Sequence, residues 1–121
     1  MPAWVKEKRL RYVSEAATAE FLDAVFFMYF YNRCECHGQQ PEIRLEEIFS
    51  DLPTEEELDA AYRRCAALIS DGYVAGEELY QARSENDEQK SIVRGFEARN
   101  PGFSKSSYER ALAHGRTAAV F

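Results

Sequence analysis

Residues 43–75 decide the fold, and they read IRLEEIFSDLPTEEELDAAYRRCAALISDGYVA. Apolar residues recur with helical spacing from Leu45 to Leu52, which predicts a short amphipathic helix. Pro53 disfavours the helical conformation of the residue before it, so this first helix should end at Leu52. A second helix and the start of a strand are expected in the remainder.

The second helix of this stretch has its own start and stop signals. Thr54, with Glu57 three residues later, has the pattern of a capping box and predicts the helix start. An apolar stripe that includes Cys65 follows with helical spacing. Gly72 suits the position after a helix end, where a positive φ angle is needed. Tyr73–Val74 then suit a strand.

This order of elements resembles winged helix-turn-helix domains, and residues 68–74 (LISDGYV) look like the exit of a recognition helix into the wing. The resemblance covers residues 43–75. It implies a mainly α fold, a winged-helix-like helical domain with at most a small β-hairpin wing. It also implies that the second helix of the pair is the recognition helix. Residues 76–98 could form the wing hairpin or be helical, and we favour the wing, with a return strand at 91–96.

Length and composition predict one soluble domain. A chain of 121 residues is one domain by its length, with a basic N-terminal arm at 1–13 and a helical core at 14–121. Hydrophobic residues make up 45% of it, enough for a globular core. No apolar run follows the basic start, and Ala24–Tyr31 is far shorter than the ~20 residues that span a bilayer. We therefore expect a reduced, cytoplasmic protein without membrane contact.

An almost wholly apolar helix is expected from Ser14 to about Cys34, with Thr18 as a candidate internal N-cap. A helix that is apolar all round is buried. Its surface exceeds what two short helices can cover, so the last helix or a second copy of the chain should cover the rest. We predict a homodimer. The alternative is a monomer in which the wing and Trp4 fold over this helix. The predicted dimer interface consists of Phe27, Tyr31, Val120 and Phe121.

A turn and a last helix are expected at the C-terminal end. Residues 100–103 (NPGF) have the composition of a turn. Ser104 is the expected cap of the following helix, with Ser107 as a rival. Its inner face should carry Tyr108, Ala111 and Leu112, and Gly115 could interrupt it.

One group of residues has the chemistry of a zinc site: Cys34, Cys36, His37 and Cys65. The spacing is poor, because the pair is C-x-C and no C-x-x-C exists. Cys65 also lies on an apolar stripe, as a buried cysteine would. We predict no metal and no cofactor, although the sequence leaves open whether these four residues converge. A Cys–His nucleophile would need a third, orienting group that is not evident. The chain is therefore not expected to be an enzyme.

Charge favours protein binding over DNA binding. The formal net charge is −6, which lowers the expected affinity for phosphate backbones. Within 43–75, three arginines stand against eight carboxylates, a balance of −5. We therefore predict a small non-enzymatic winged-helix-like module that binds a protein partner through an acidic face of Glu55, Glu56 and Asp59. The alternative is a winged helix-turn-helix DNA-binding transcription regulator. Its nucleic-acid contacts would be Arg63, Arg64, Lys6, Lys8, Arg9 and Arg11.

Overall fold

A computed structural model describes residues 3–38, 40–82 and 87–120. These residues form five α-helices and no strand, so the mainly α prediction is confirmed and the β-hairpin wing is not found among them. The elements are α1 (Ala3–Thr18), α2 (Phe21–Phe30), a π-helical segment (Tyr31–Glu35), a 3₁₀ turn (Leu45–Glu47), α3 (Glu55–Gln81), α4 (Asp87–Arg99) and α5 (Lys105–Val120).

The chain divides into two compact units, Met1–Cys65 and Ala66–Phe121. Helix α3 crosses the boundary, so its first part belongs to the first unit and the remainder to the second. Among the described helices, none combines the length and the apolar character needed to cross a membrane.

In the first unit, the predicted long helix from Ser14 is divided into α1 and α2. Thr18 was wrongly predicted as an N-cap. Its hydroxyl donates backward to the carbonyl oxygens of Ser14 and Glu15, 3.3 Å away in each case. A hydroxyl used in this way belongs to the end of α1. Helix α2 begins at Phe21, and Glu20 at its N-cap position makes no side-chain cap.

The core of the first unit includes aromatic rings from α1, α2 and the π-helical segment. Phe26 and Tyr31 have exposed fractions of 0% and 1%, which confirms that the apolar helix is buried. The ring of Tyr12 lies 5.3 Å from that of Tyr31, between centroids. Val5 and Tyr12 are themselves buried. From residue 3 onward the predicted basic arm is therefore a helix packed on the core.

The helix predicted from Leu45 to Leu52 is only a 3₁₀ turn over Leu45–Glu47. The preceding backbone is held extended by other parts of the unit. The Asn32 side chain accepts from the Ile43 N–H at 2.8 Å and donates to the Ile43 carbonyl at 3.0 Å. Arg9 donates to the carbonyls of Pro41 and Glu42. These bonds fix the backbone just before the predicted helix, and so short a segment has only a weak tendency to form a helix by itself.

The predicted capping box at the start of α3 is confirmed. The backbone N–H of Glu57 donates to Thr54 Oγ1 at 3.2 Å, and the Thr54 N–H donates to Glu57 Oε1 at 3.1 Å. The Thr54 N–H and the Thr54 hydroxyl, 2.9 Å away, both donate to the Glu57 carboxylate and lower the pKa of this carboxyl, because they favour its charged form. Helix α3 then runs for 27 residues.

Gly72 does not end α3, and Tyr73–Val74 are helical, so both predictions were wrong. The glycine has another role: it lets α3 lie directly against α5. A Cβ atom on Gly72 would lie 2.9 Å from the Ala111 carbonyl oxygen. A Cβ atom on Gly76 would lie 2.5 Å from the backbone nitrogen of Arg116, and one on Gly115 would overlap the backbone carbonyl of Gly72. Only residues without side chains fit at such a crossing.

A polar network in the second unit joins the middle of α3 to the end of α4. Asp71 accepts two hydrogen bonds from Arg99, at 2.9 and 3.1 Å, and one from Asn100 at 2.7 Å. Tyr108 donates its hydroxyl to the Asn100 carbonyl at 2.6 Å. Asp71, predicted to lie at a helix exit, instead anchors the second unit from within α3.

Of the remaining predictions for the second unit, some are confirmed and others are wrong. The return strand at 91–96 is wrong, because these residues lie within α4. The polar tip predicted at 84–88 falls partly outside the described residues. The turn at 100–103 is confirmed, with Gly102 at a φ of 94°. Ser104 is the cap, since its hydroxyl accepts from the Ser107 N–H at 3.4 Å. Gly115 lies inside α5 without interrupting it, and Tyr108, Ala111 and Leu112 are buried as expected.

The glycine contact predicts opposite effects for two matched substitutions. Gly115→Ala should lower the free energy of unfolding by about 1–3 kcal/mol, because its methyl group would overlap the backbone of α3. Gly95→Ala in α4 should raise it by about 0.5–1 kcal/mol, since its Cβ would approach only Arg99 Nη1, at 3.2 Å, which is not one of the two nitrogens that bind Asp71. Urea unfolding followed by circular dichroism measures both. Stabilisation by Gly115→Ala would contradict the close packing.

Candidate interaction surfaces

The predicted acidic face lies on the first two turns of α3. Glu55, Glu56 and Asp59 are all exposed, and they form no salt bridge with any residue that the structure describes. Glu57, by contrast, is used in the capping box. A helix N-terminus favours carboxylates through its dipole, which stabilises this local excess of negative charge. The structure thus places the three predicted residues together on one accessible surface.

An apolar side chain lies beside this face in the chain. Leu52 has an exposed fraction of 58%, although leucine is usually buried. Asp51 before it is exposed as well. The chain leading into α3 therefore offers carboxylates and an unburied aliphatic group in consecutive residues.

Two of the side chains predicted to contact nucleic acid form salt bridges within the first unit. Lys8 Nζ lies 2.7 Å from Glu35 Oε2, and Arg9 Nη2 lies 2.8 Å from Glu47 Oε2. The hydrogen bond from Arg9 lowers the pKa of the Glu47 carboxyl. Lys6, Arg11, Arg63 and Arg64 are exposed, and Arg64 also interacts within the chain.

A small cavity beside Arg9, of about 500 Å³, lies against Gln40, Pro41, Glu42 and Arg44. Its polar groups serve the fold. Arg9 uses its guanidinium on the Pro41 and Glu42 carbonyls and on the Glu47 carboxylate. We assign no binding role to it.

The candidate zinc ligands have separate surroundings. Cys36 is buried, and its thiol donates to the Gln40 carbonyl at 2.9 Å. Cys65 is wholly buried, and burial raises the pKa of its thiol to about 12. Burial also raises the pKa of the half-buried Cys34 thiol. His37 is exposed, with a φ of 48°. Within the ranges that the structure describes, no three His, Cys, Asp or Glu side chains are grouped as metal ligands would be.

These surroundings predict an absence of tightly bound zinc and unequal thiol reactivity. Cys34 should react first with Ellman's reagent, because it is the most accessible of the three thiols. Cys65 should react only after unfolding, because it is wholly buried and its raised pKa leaves little thiolate. Elemental analysis of protein purified without chelators should find less than stoichiometric zinc. Stoichiometric zinc that Cys36→Ser removes, together with much of the stability, would contradict this prediction.

The predicted dimer interface is only partly accessible. Phe27 and Tyr31 have exposed fractions of 4% and 1%, so their assignment to an interface was wrong. The core takes up more of the α2 surface than the sequence suggested. Val120 is 57% exposed, and Phe121 lies outside the described residues. Homodimerisation itself stays a prediction.

The second unit contains a groove that the sequence did not predict. It lies between α4 and α5, has a volume of about 550 Å³, and is called the α4/α5 groove below. Helical spacing on α4 was the available signal, since Lys90 and Arg94 are four residues apart and flank Val93. The lining residues are Leu79 of α3, Gln89, Lys90, Val93, Arg94 and Glu97 of α4, and Glu109, Leu112, Ala113 and Arg116 of α5.

A tyrosine–histidine pair also lies in the second unit. Tyr73 Oη is 2.9 Å from His114 Nε2, and the two rings meet edge to face with centroids 5.4 Å apart. Tyr73 is 44% exposed. The pair joins α3 to α5 at the surface of the second unit.

Comparison of the chain with protein-family models, with curated proteins and with solved structures found no match.

Proposed function

We propose that this chain is a non-enzymatic interaction module whose acidic face on α3 binds a basic segment of a partner protein. The observation that carries the proposal is that Glu55, Glu56 and Asp59 are exposed together and form no salt bridge with described residues. Carboxylates on a protein surface that lack an internal counter-charge remain available to a cationic partner. The capping box holds the first turn of α3 in place, so this face is pre-organised.

Charge and apolar contact have separate roles in this proposal. Three carboxylates within two helical turns lie closer together than the Debye length of about 8 Å at physiological salt, so they act as one negative patch. Such a patch increases the rate of encounter with a basic partner more than it increases affinity. Affinity requires buried apolar area, which the exposed Leu52 can supply.

DNA binding by a winged helix-turn-helix domain is the alternative, and the geometry supports it less well. A recognition helix places its N-terminal residues at base edges and phosphates. Here those residues are the carboxylates of the acidic face. Lys8 and Arg9 are held in salt bridges, so using them on phosphate would first break those bridges. The resemblance of 43–75 to this family is retained only as a proposal.

Neutralising the acidic face should weaken partner binding while leaving the fold intact. The test variant is Glu55→Gln/Glu56→Gln/Asp59→Asn. We expect the amount of the principal partner that it recovers in quantitative affinity purification to fall at least tenfold relative to the wild-type chain. The matched control is Glu7→Gln/Glu42→Gln/Glu88→Gln, which also removes three exposed carboxylates and also changes the net charge from −6 to −3. Circular dichroism checks that α3 remains helical in both variants.

The control decides what a loss of binding means. An equal loss in both triple variants would indicate bulk charge, and no loss in either would remove the acidic face from function. The partner segment recovered with the wild-type chain should be rich in lysine and arginine. A neutral or acidic segment would also contradict the proposal.

The chain should not bind duplex DNA with appreciable affinity. Titration against random duplex at low salt is the most sensitive test, because phosphate binding is strongest there. We expect no micromolar affinity, since the carboxylates of the acidic face repel the backbone. Micromolar binding that weakens steeply with salt and is lost in Arg63→Ala/Arg64→Ala would favour the transcription regulator instead.

A further inference from the structure

We propose that the α4/α5 groove binds an acidic, amphipathic helical segment of a partner protein. This surface belongs to the second unit and is independent of the acidic face on α3.

The direction of the two helices gives the groove two different ends. The turn that follows α4 is short, and Tyr108 near the start of α5 contacts Phe96 near the end of α4, with ring centroids 5.9 Å apart. The helices therefore run in opposite directions along the groove. Glu97 and Glu109 lie at the end near the turn, and Lys90 and Arg116 lie at the far end.

Three cations line the groove. The side chains of Lys90, Arg94 and Arg116 form no salt bridge or hydrogen bond with any residue in the described ranges. Against them stand Glu97 and Glu109, a local balance of +1 in a chain whose net charge is −6. Glu109 also forms a salt bridge with Lys105, whose Nζ lies 4.0 Å from Glu109 Oε1. The lining at the far end of the groove is thus basic, with Asp87 and Glu88 in the first turn of α4 outside the lining, and it selects carboxylates.

The floor of the groove is apolar. Leu79 and Leu112 are buried beneath it, with exposed fractions of 6% and 7%, and Val93 is half-buried on its wall. The lining residues of α4 span positions 89–97, which is about 12 Å along a helix. This length matches two turns of a bound helix, whose apolar side chains would cover Val93 while its carboxylates reach the cations. Laying one face of a helix into a groove between two others is a common mode of recognition.

The chemistry of the lining favours a peptide over a small anion. Lys90, Arg94 and Arg116 are distributed over more than one helical turn on two helices, so a single carboxylate would leave most of this charge unused. A helical segment with carboxylates in successive turns can meet all three cations. It can also present apolar residues at i, i+3 and i+4 to the floor.

A random 12-residue peptide library displayed on phage tests the proposal on the full-length chain. Selected peptides should carry two or more carboxylates and apolar residues with helical spacing. Their affinity, measured by fluorescence anisotropy, should fall at least tenfold in Lys90→Glu/Arg116→Glu. Val93→Ser, which removes apolar contact without changing charge, should weaken the same peptides several-fold.

A matched charge reversal separates the groove from bulk charge. Lys6→Glu/Arg11→Glu changes two exposed residues of α1 and also takes the net charge from −6 to −10. It should leave peptide affinity unchanged, and an equal loss would overturn the proposal. Selection of no peptides, or of peptides without carboxylates, would do the same.

Two further results would assign the groove to another occupant and so overturn the proposal. One is a dimer in light scattering that Lys90→Glu/Arg116→Glu converts to a monomer, which would mean that a second copy fills the groove. The other is displacement of every selected peptide by decanoate at lower concentration than the peptides themselves require, which would identify a small amphipathic anion.

Discussion

The direct contact between the backbones of α3 and α5 is the constraint on which the second unit depends. At Gly72, Gly76 and Gly115 no side chain separates the two helices. Helix–helix distances are set by the side chains at the crossing, so glycine at all three positions gives a very short one. Phe96 and Leu68 are then wholly buried. The Asp71 network and the Tyr73–His114 bond flank this crossing within the same unit. The α4/α5 groove follows from it, because the position of α5 determines where its Leu112 and Arg116 face α4.

Local patterns in the sequence predicted local structure correctly where neighbouring residues determine it. They were wrong where contacts with a distant part of the chain determine the conformation. The capping box of Thr54 and Glu57 needs only four consecutive residues, and it formed as expected. Gly72 has the same local signature whether it ends a helix or admits a second helix, and only α5 distinguishes the two. The segment after Ile43 has a helical stripe, yet Asn32 and Arg9 hold the backbone just before it, at Ile43 and Pro41, through bonds that no short sequence window contains.

The candidate interaction surfaces show the same difference between what neighbouring residues determine and what distant contacts determine. The acidic face could be predicted because Glu55, Glu56 and Asp59 are neighbours on one helix and α3 has few nearby cations to neutralise them. The basic residues could not be ranked from the sequence, since the pairing of Lys8 with Glu35 depends on how α1 lies against the π-helical segment. The α4/α5 groove was missed because its cations come from two helices that the wing interpretation did not contain. Burial of Tyr31 was underestimated for a related reason: α1, whose Tyr12 packs against it, was treated as an arm and not as part of the core.

Helix α3 also has a consequence for how the molecule can be divided. The boundary between the two units falls between Cys65 and Ala66, inside a single uninterrupted helix. About four backbone hydrogen bonds of the i to i−4 ladder cross any such point in an α-helix. Neither unit can therefore begin to melt at this point without fraying the helix of the other, and amide protons on both sides of residue 65 should exchange with similar opening energies. Cleaving the chain at this boundary would leave these backbone donors and acceptors without their helical partners, so each half is expected to lose helix next to the cut.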